Sequence, residues 1–445
     1  MTGRWPCAGW LRRVAVAFMV IALSGCETAE LAFPRTVGPE PVLPPPEGAL
    51  VPTIDIAPAV GWPDGAAPTA AEGLVVNAFA DGLDHPRWLY VLPNGDVLVA
   101  ETNAPPREGG GLKAWLMGLV MKRAGAAVPS ADRVSLLRDA DGDGVADQRS
   151  VLLDKLHSPF GMALVGDTLY VANADALVAA PYRPGQQRIE ATPTLVARLP
   201  GGPVNHHWTK SLLASADGSR LYVGVGSNSN VGERGMAAET DRATILEVDP
   251  VTGDTRVFAS GLRNPVGLDW QPDTGVLWAV VNERDELGSD LVPDYLTSVR
   301  DGGFYGWPYS YWGSHVDARV RPPRPELVAR AITPDYALGN HVAPLGLAFY
   351  DATLLPRLRG GAIVAEHGSW NRRPPSGYTV VFVPFADGTP SGPPRELLGG
   401  FLDPDGNARG RPVGIAIAAD GAVLVADDVG NAIWRLAPDG QRRSR

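Results

Sequence analysis

Cysteine is nearly absent from this sequence, since only Cys7 and Cys26 occur among its 445 residues. If a leader that carries Cys7 is removed, Cys26 is the single thiol left, which excludes an internal disulfide and any metal site built from several cysteines. The haem-attachment pattern Cys-x-x-Cys-His is missing too. The sequence therefore contains no c-type haem attachment site.

The sequence also lacks an excess of positive charge. It has 39 Lys and Arg against 49 Asp and Glu, a formal net charge of −10. Three of the arginines, Arg4, Arg12 and Arg13, lie in a leader without acidic residues, so the rest of the chain is more acidic still. This balance argues against a nucleic-acid partner.

The apolar run near the N-terminus, residues 14–23, is too short to span a bilayer comfortably and follows the three arginines. It closes with Leu23-Ser24-Gly25-Cys26, which is typical of a bacterial lipobox. We predict a lipoprotein signal peptide at residues 1–25 and lipidation of Cys26. The chain would then be anchored to a membrane of the cell envelope, on its periplasmic or other extracytoplasmic side. The alternative is an ordinary signal peptide with a chance cysteine.

Residues 26–53 are rich in proline and predict a semi-extended tether. Residues 54–445 contain one recurring pattern, in which a proline or polar residue leads into an apolar strand, a turn with Asp, Asn or Gly, and a second apolar strand. Its six copies begin at Pro86, Pro159, Lys210, Asn264, Pro344 and Pro412. The pattern predicts an all-β, six-bladed β-propeller. An irregular β-sandwich would not explain why the first residues recur in phase with the turn.

Two insertions interrupt the repeat. Residues 112–123 predict a short helical insertion with basic residues at both ends, which would either lie on lipid or pack over a blade. Residues 139–147 alternate aspartate with small residues and resemble the first half of a calcium loop. The alternative is an acidic hairpin turn, because the distal glutamate of an EF-hand is missing.

His206 and His207 are the most informative of the seven histidines because they directly precede the first strand of a blade. A histidine there could act as a general base, bind a metal, or orient its neighbour. His85 and His315 lie in turn-like contexts and are expected at the surface. His341 precedes a blade and could be structural.

Arginines occupy the same phase at the beginning of two blades, with Arg263 before one and Arg409 and Arg411 before another. Side chains in equal phase on a propeller face one channel, so these arginines would converge on an anionic ligand. The alternative is a solvated basic turn. His367 and Ser369 follow the second strand of the fifth blade and could belong to the same rim. They do not indicate a hydrolase, because no Gly-x-Ser-x-Gly elbow is present.

Several of these motifs, in this order, are similar to those of the soluble pyrroloquinoline quinone (PQQ)-dependent sugar dehydrogenases, and in particular of their sorbosone dehydrogenase-like branch. The resemblance covers residues 75–436 and rests on His-Trp-Thr-Lys-Ser-Leu from His207, Arg263-Asn264-Pro265, residues 282–288, Tyr305-Gly306-Trp307-Pro308 and Arg409-Gly410-Arg411.

The resemblance implies PQQ over the channel mouth, held by Arg263, Asn264, Arg409 and Arg411, with His157 as a further contact. It implies that His207 takes the proton of a sugar hydroxyl while hydride passes to the quinone. Calcium would polarise the quinone from the loop of Glu283, Arg284 and Asp285, largely through backbone carbonyls. The chain departs from the family at Val266, where a glutamine is expected, and at Arg284-Asp285, where Gly-Pro is expected.

We therefore expect an enzyme that oxidises a sugar or a sugar-derived aldehyde, with PQQ and Ca²⁺ as cofactors and a cytochrome or quinone as separate electron acceptor. Two alternatives stay open. One is a calcium-dependent hydrolase of the lactonase type, which would need a central cage of Asn, Asp and Glu side chains. The other is a non-catalytic, envelope-binding propeller that has lost its cofactor, an alternative suggested by Val266.

Overall fold

The structure is a computed structural model that describes residues 28–47, 53–106 and 112–440. The predicted signal peptide and Cys26 lie outside the described residues.

Six antiparallel sheets of four strands or more form the body of the protein, so the predicted six-bladed propeller is confirmed. Their strands, from the innermost outward, are, in blade one, Pro86–Val91, Val97–Glu101, Arg133–Arg138 and Gln148–Leu153; in blade two, Met162–Val165, Thr168–Ala172, Ala176–Pro181 and Thr194–Arg198; in blade three, Lys210–Ala214, Leu221–Val225, Thr244–Val248 and Thr255–Ser260; in blade four, Pro265–Trp270, Leu277–Val281, Pro293–Ser298 and Tyr336–Asn340; in blade five, Pro344–Phe349, Ala362–Glu366, Thr379–Val383, Arg395–Gly399 and Thr69–Ala70; and in blade six, Pro412–Ile417, Val423–Asp427, Ala432–Pro438 and Leu74–Ala80.

The remaining elements are short. Two small hairpins are inserted, Ser310–Tyr311 with His315–Val316 in blade four and Phe385–Ala386 with Thr389–Pro390 in blade five. The helices are Leu112–Arg123 and Pro325–Val328, with 3₁₀ turns at Phe33–Arg35, Met236–Glu239 and Pro356–Leu358. Among the described residues, no helix has the length and apolar character needed to cross a membrane.

The ring of blades is closed by pairing the two ends of the domain. Strand Leu74–Ala80 joins the last blade by antiparallel pairing with Ala432–Pro438. The innermost strands contact one another in ring order, so the last blade also meets the first. Closure of this kind leaves only short sheet edges, which limits pairing with other chains.

The recurring glycine two residues after the proline is required by close approach of the neighbouring blade. A Cβ on Gly267 would lie 2.7 Å from the backbone nitrogen of Leu347, and one on Gly346 would lie 2.2 Å from the carbonyl oxygen of Val413. Gly414 approaches the carbonyl of Arg87 in the same way. Each of these glycines therefore lets the innermost strand of the next blade pack against its backbone.

The centre of the ring is filled by apolar side chains from the beginnings of the innermost strands. One buried cluster contains Trp88, Phe160, Trp208, Val266, Leu345 and Val413. The ring centroids of Trp88 and Phe160 are 4.7 Å apart, and Phe160 meets Trp208 edge-on at 5.8 Å. We call these six side chains the central plug. Val266, the departure from the family pattern, belongs to this plug.

Residues 28–47 lie on the propeller, and the prediction of an extended spacer is wrong for this part of the tether. Gly38 bridges to Ala337, and the backbone nitrogen of Ala29 donates to the carbonyl of Arg373 (2.7 Å). Leu31 donates to the Asp290 carboxylate at 2.8 Å. Proline-rich sequence indicated extension but not these hydrogen-bond partners.

The helix Leu112–Arg123 packs over the propeller, which is one of the two placements expected from the sequence. The carbonyl of Arg123 at its end accepts a hydrogen bond from the backbone nitrogen of Ala59 (2.8 Å). Residues 57–60 in turn bond to Ala408 of the last blade. The helix and the segment before the first blade thus cover one face of the ring together.

Replacement of Gly346 by Ala is expected to destabilise the protein. The added Cβ would overlap the carbonyl of Val413, and overpacking of this kind costs about 1–3 kcal/mol. Urea unfolding would measure the loss. Gly118→Ala is the matched control, because a Cβ there meets nothing within 4 Å. Equal stability of the two variants would contradict the role given to the glycine.

Candidate functional site

A cavity of about 370 Å³ opens on the propeller face where the innermost strands begin. Leu345 of the central plug lies in its lining, and Val120, Met121 and Ala124 of the helical insertion and the residue after it cover one side. The helix therefore forms part of the cavity wall. This cavity is the candidate active site, and we call it the pocket.

Two sets of chain positions supply the polar lining of the pocket. His85, Asn264 and Arg411 directly precede the proline that begins a blade. Asn282, His367 and Asp428 directly follow the second strand of a blade. Since the first strand leaves this face and the second returns to it, both sets meet at the axis.

His207 lies in the pocket with its ring orientation fixed by blade three. Its Nδ1 donates to the carbonyl oxygen of Ser227 at 2.8 Å. A carbonyl can only accept, so the neutral ring carries its proton on Nδ1 and leaves Nε2 as an acceptor. Burial lowers the pKa of His207 well below its usual value, and the nearby His206 and Arg263 lower it further. The ring is therefore held in the form that can take a proton.

Arg263 lies in the pocket lining, but its donors are bound within the protein. Its guanidinium donates to the carbonyl of Asn230 (3.2 Å) and to that of Glu283 (2.5 Å), and it pairs with the Asp285 carboxylate at 2.9 Å. These contacts hold the loop after strand Leu277–Val281 against blade three. Arg263 thus fixes the geometry of the pocket floor and adds a positive charge to it.

Arg411 lies in the pocket lining and offers a donor to a ligand. One terminal nitrogen donates to the carbonyl of Ala57 (3.1 Å), and the guanidinium carbon lies 5.0 Å from the ring centroid of Tyr378. Its Nε is buried without a hydrogen-bond partner in the protein. A buried N–H without a partner is costly, so a ligand oxygen at this position would be bound strongly.

Several oxygen atoms at the pocket are also unpartnered. Asn264 Oδ1, Glu283 Oε1 and Asn371 Oδ1 are buried without a donor. The space beside Asn264 is tight, since a Cβ on Gly226 would lie 2.2 Å from Asn264 Oδ1. Asp285 accepts from Asn371 Nδ2 at 2.8 Å and is the link between this group and Arg263. Carboxylate and amide oxygens are the ligands that calcium prefers.

Three residues predicted for the site do not line the pocket. Arg284 is fully buried and pairs with Glu283 at 3.0 Å and Asp317 at 3.1 Å, so its side chain holds the loop from beneath. Arg409 lies outside the lining, one residue from Arg411 across Gly410. His157 pairs with Asp175 (2.9 Å) and is half exposed.

The structure adds a charged cluster that the sequence reading missed. The carboxylate of Asp428 lies 2.5 Å from Arg87, 3.0 Å from His367 and 3.7 Å from His85. His85 is buried, so its expected surface position is wrong. His85 and Arg87 flank the proline of blade one, and this position relative to the proline is the sequence signal that points to them.

This cluster is electrostatically coupled. Burial alone would raise the pKa of Asp428, but His367, His85 and Arg87 hold it well below its usual range. Burial lowers the pKa of His367 to about 4 despite the opposing charge of Asp428. Near neutral pH, Asp428 and Arg87 therefore form the ion pair, while His367 is a neutral partner.

Two further histidines and the acidic loop 139–147 were also singled out by the sequence pattern. His341 lines the pocket and bonds to the carbonyls of Gly288 (2.9 Å) and Leu291 (3.0 Å), whereas His315 is exposed as expected. Potential ligand oxygens of Asp139, Asp141 and Asp147 lie within 4.8 Å of one another. That acidic loop connects two strands of blade one, and its backbone nitrogens donate to its own carboxylates.

Asp428→Asn is expected to destabilise the protein by about 3–5 kcal/mol, because it leaves Arg87 without its buried partner. Asp154→Asn is the control, since Asp154 makes an exposed pair with Arg188 at 3.4 Å and should change stability by less than about 1 kcal/mol. Chemical denaturation at pH 7 measures both. If both variants lose a similar free energy of unfolding, the buried pair of Asp428 and Arg87 stabilises the protein no more than an exposed pair does.

Comparisons with known proteins agree with this architecture. A protein of Borreliella burgdorferi, described only as an uncharacterized protein, is 31% identical over 54% of this chain and 63% of its own length. The chain thus spans less than two thirds of that relative. The aldose sugar dehydrogenase YliI of Escherichia coli is 24% identical over 69% of this chain and 80% of its own length.

Two solved structures share the fold at 21% identity each. The holo form of the PQQ domain of pyranose dehydrogenase from Coprinopsis cinerea has a TM-score of 0.67, covering 86% of this chain and 100% of that one. A calcium structure of a Trichoderma reesei carbohydrate-active enzyme of family AA12 also has a TM-score of 0.67, covering 87% and 99%.

The resemblance drawn from the sequence motifs is confirmed by a family profile. The profile described as TrAA12-like matches residues 130–294 and 328–439, together more than half of the chain. These ranges contain His207, Arg263, Asn264 and Arg411. The chain therefore belongs to the TrAA12-like family.

Proposed function

We propose that this protein is a quinoprotein dehydrogenase that oxidises a sugar or a sugar-derived aldehyde with PQQ and calcium. The observation that carries the proposal is the convergence, in one pocket, of Arg87, Arg263 and Arg411 with His207 held in its proton-accepting form. The relatives include an aldose sugar dehydrogenase and PQQ-dependent enzymes, which supports this reaction class.

The donor set of the pocket fits PQQ, which carries three carboxylates and an ortho-quinone. Arg411 Nε and Arg87 Nε are both buried without a protein partner, so each can donate to a carboxylate. Arg263 adds charge while its own donors hold the floor. Arg411, Arg87 and Asn264 would hold the cofactor.

Calcium fits the unpartnered oxygens of the same pocket. Glu283 Oε1, Asn371 Oδ1 and Asn264 Oδ1 are candidates for ligands, and the nearby carboxylate of Asp285 adds negative charge. When bound, PQQ supplies a quinone that accepts hydride, and calcium supplies a Lewis acid at the quinone carbonyl.

His207 would act as the general base. Its Nε2 accepts the proton of the sugar hydroxyl, while Ser227 keeps the other ring nitrogen protonated. Because burial and neighbouring cations lower the pKa of His207, the ring stays ready to accept a proton below pH 6.5. Leu345 of the central plug lines the pocket, so apolar side chains adjoin the reacting groups.

We also propose where the protein is located and which partner accepts its electrons. The lipobox supports a lipid anchor at Cys26 and an extracytoplasmic position at the cell envelope. Electrons would pass to a separate cytochrome or quinone, because the sequence carries no Cys-x-x-Cys-His site.

A lactonase-type hydrolase is the second candidate, because Asn264, Glu283 and Asp285 line the same pocket as the arginines. The unpartnered donors of Arg87 and Arg411 at this pocket favour an anionic cofactor over that hydrolase. Val266, which suggested the binding-only alternative, lies in the central plug and does not line the pocket.

His207→Ala is expected to keep PQQ binding and to lose sugar oxidation by about 10²- to 10⁴-fold, because it removes only the proton acceptor. The full chain would be loaded with PQQ and Ca²⁺, binding followed by quinone absorbance, and turnover by dye reduction across a sugar panel. His315→Ala is the control. If the unaltered chain binds no PQQ, the proposed function fails; if His207→Ala loses PQQ, its assigned role fails. Lactone hydrolysis without PQQ would favour the second candidate.

Arg411→Gln is expected to weaken PQQ binding by about 10- to 100-fold, because a charge-assisted hydrogen bond is lost. Arg409→Gln should leave the dissociation constant unchanged, since Arg409 lies outside the pocket. Titration of each full-length variant with PQQ at fixed Ca²⁺ measures the difference. The reverse order of effects would mean that the wrong arginine of this pair was chosen.

A further inference from the structure

The docked N-terminal segment begins beside the mouth of the pocket. The backbone nitrogen of Ala29 donates to the carbonyl of Arg373 (2.7 Å). The side chain of Arg373 pairs with Asp55 at 3.0 Å, and the backbone nitrogen of Asp55 donates to the carbonyl of Trp370 (2.9 Å). Trp370 lines the pocket. Ala29 is therefore held at the pocket face and not at the far side of the ring.

Cys26 precedes Ala29 by three residues. Even a fully extended chain spans at most about 11 Å over that separation. A lipid attached to Cys26 would consequently insert close to the pocket mouth. The segment cannot act as a long spacer, because residues 28–47 are hydrogen-bonded to the propeller.

Four exposed apolar side chains lie beside the pocket mouth. Ile54, Val60, Leu119 and Trp370 are 49%, 57%, 48% and 39% exposed. We call these four residues the mouth rim. Ile54 and Val60 belong to the segment that bonds to Trp370 and to the helix end, and Leu119 precedes the pocket residue Val120. Exposed apolar side chains grouped around one opening are typical of an interaction site.

All charged residues of the helix at this rim are basic. Lys122 and Arg123 are exposed in its last turn, and its first turn has no acidic residue. This contrasts with the net charge of −10 of the whole chain. Apolar and basic side chains on one face match the acyl chains and anionic headgroups of a membrane surface.

We propose that the mouth rim rests on an anionic bilayer, so that the pocket opens towards the membrane to which Cys26 is anchored. Val120 and Met121 of the helix then line the pocket, while Leu119, Lys122 and Arg123 contact the bilayer. A pocket in this orientation can exchange with molecules dissolved in the bilayer. The inference depends on lipidation of Cys26 but not on the proposed oxidoreductase activity.

The orientation can be measured with two single labelling sites in the full-length, lipidated chain. Leu119→Cys places a fluorophore on the mouth rim. Val251→Cys places it at a turn on the opposite face, where Val251 is 91% exposed. Vesicles that contain phosphatidylglycerol and lipids with a nitroxide quencher on the acyl chain report contact with the bilayer.

We expect loss of most of the fluorescence at position 119 and no loss at position 251. Replacing phosphatidylglycerol by phosphatidylcholine, or changing Lys122→Glu together with Arg123→Glu, should reduce the quenching at position 119. Lipidation is checked by mass spectrometry of the mature chain.

Three outcomes would overturn the proposal: equal quenching at both positions, no quenching at position 119 in membrane-bound protein, or an unmodified Cys26. If the quenching at position 119 changes neither with headgroup charge nor with the double substitution, the preference for an anionic bilayer is wrong. None of these readouts requires PQQ or sugar, so failure here is distinct from failure of the proposed function.

Discussion

The close approach of the innermost strands at the propeller axis is the constraint on which the rest of the structure depends. Glycines such as Gly267, Gly346 and Gly414 let the backbone of each blade meet the first strand of the next. The residues before the neighbouring prolines are thereby brought to one place. The pocket exists because the beginnings of five innermost strands share one small area above a plug of apolar side chains.

The buried arginines at this face have two roles, and their hydrogen-bond partners distinguish the two. Arg263 and Arg284 are bound within the protein and hold the loop between them. Arg411 keeps an unpartnered donor at the pocket, and Asn264 keeps an unpartnered acceptor. Because unpaired buried polar atoms are costly, those at the pocket are the atoms that a ligand would satisfy. The Asp428 cluster lies between these cases, since it pairs Arg87 yet leaves one carboxylate oxygen unpartnered.

The N-terminal segment connects the site to its surroundings. A proline-rich stretch would ordinarily separate an anchor from a domain. Here hydrogen bonds from Ala29 and Leu31 dock the stretch against Arg373 and Asp290. The anchor position and the apolar, basic mouth rim then lie on the same face. If this face meets the bilayer, the membrane orients the propeller as well as retaining it.

The sequence by itself determined the propeller, its six blades and the phase in which His207, Asn264 and Arg411 point to the axis, because strand alternation and turn residues repeat locally. His85 and Arg87 share this phase at blade one. Only the tertiary structure decided which arginines keep a free donor, and it placed Arg284, Arg409 and His157 outside the pocket. It also decided that the tether docks and that Val266 belongs to the plug. Those outcomes depend on which distant residues meet, such as Ala29 with Arg373 or Arg411 with Ala57, and no local pattern specifies such pairs.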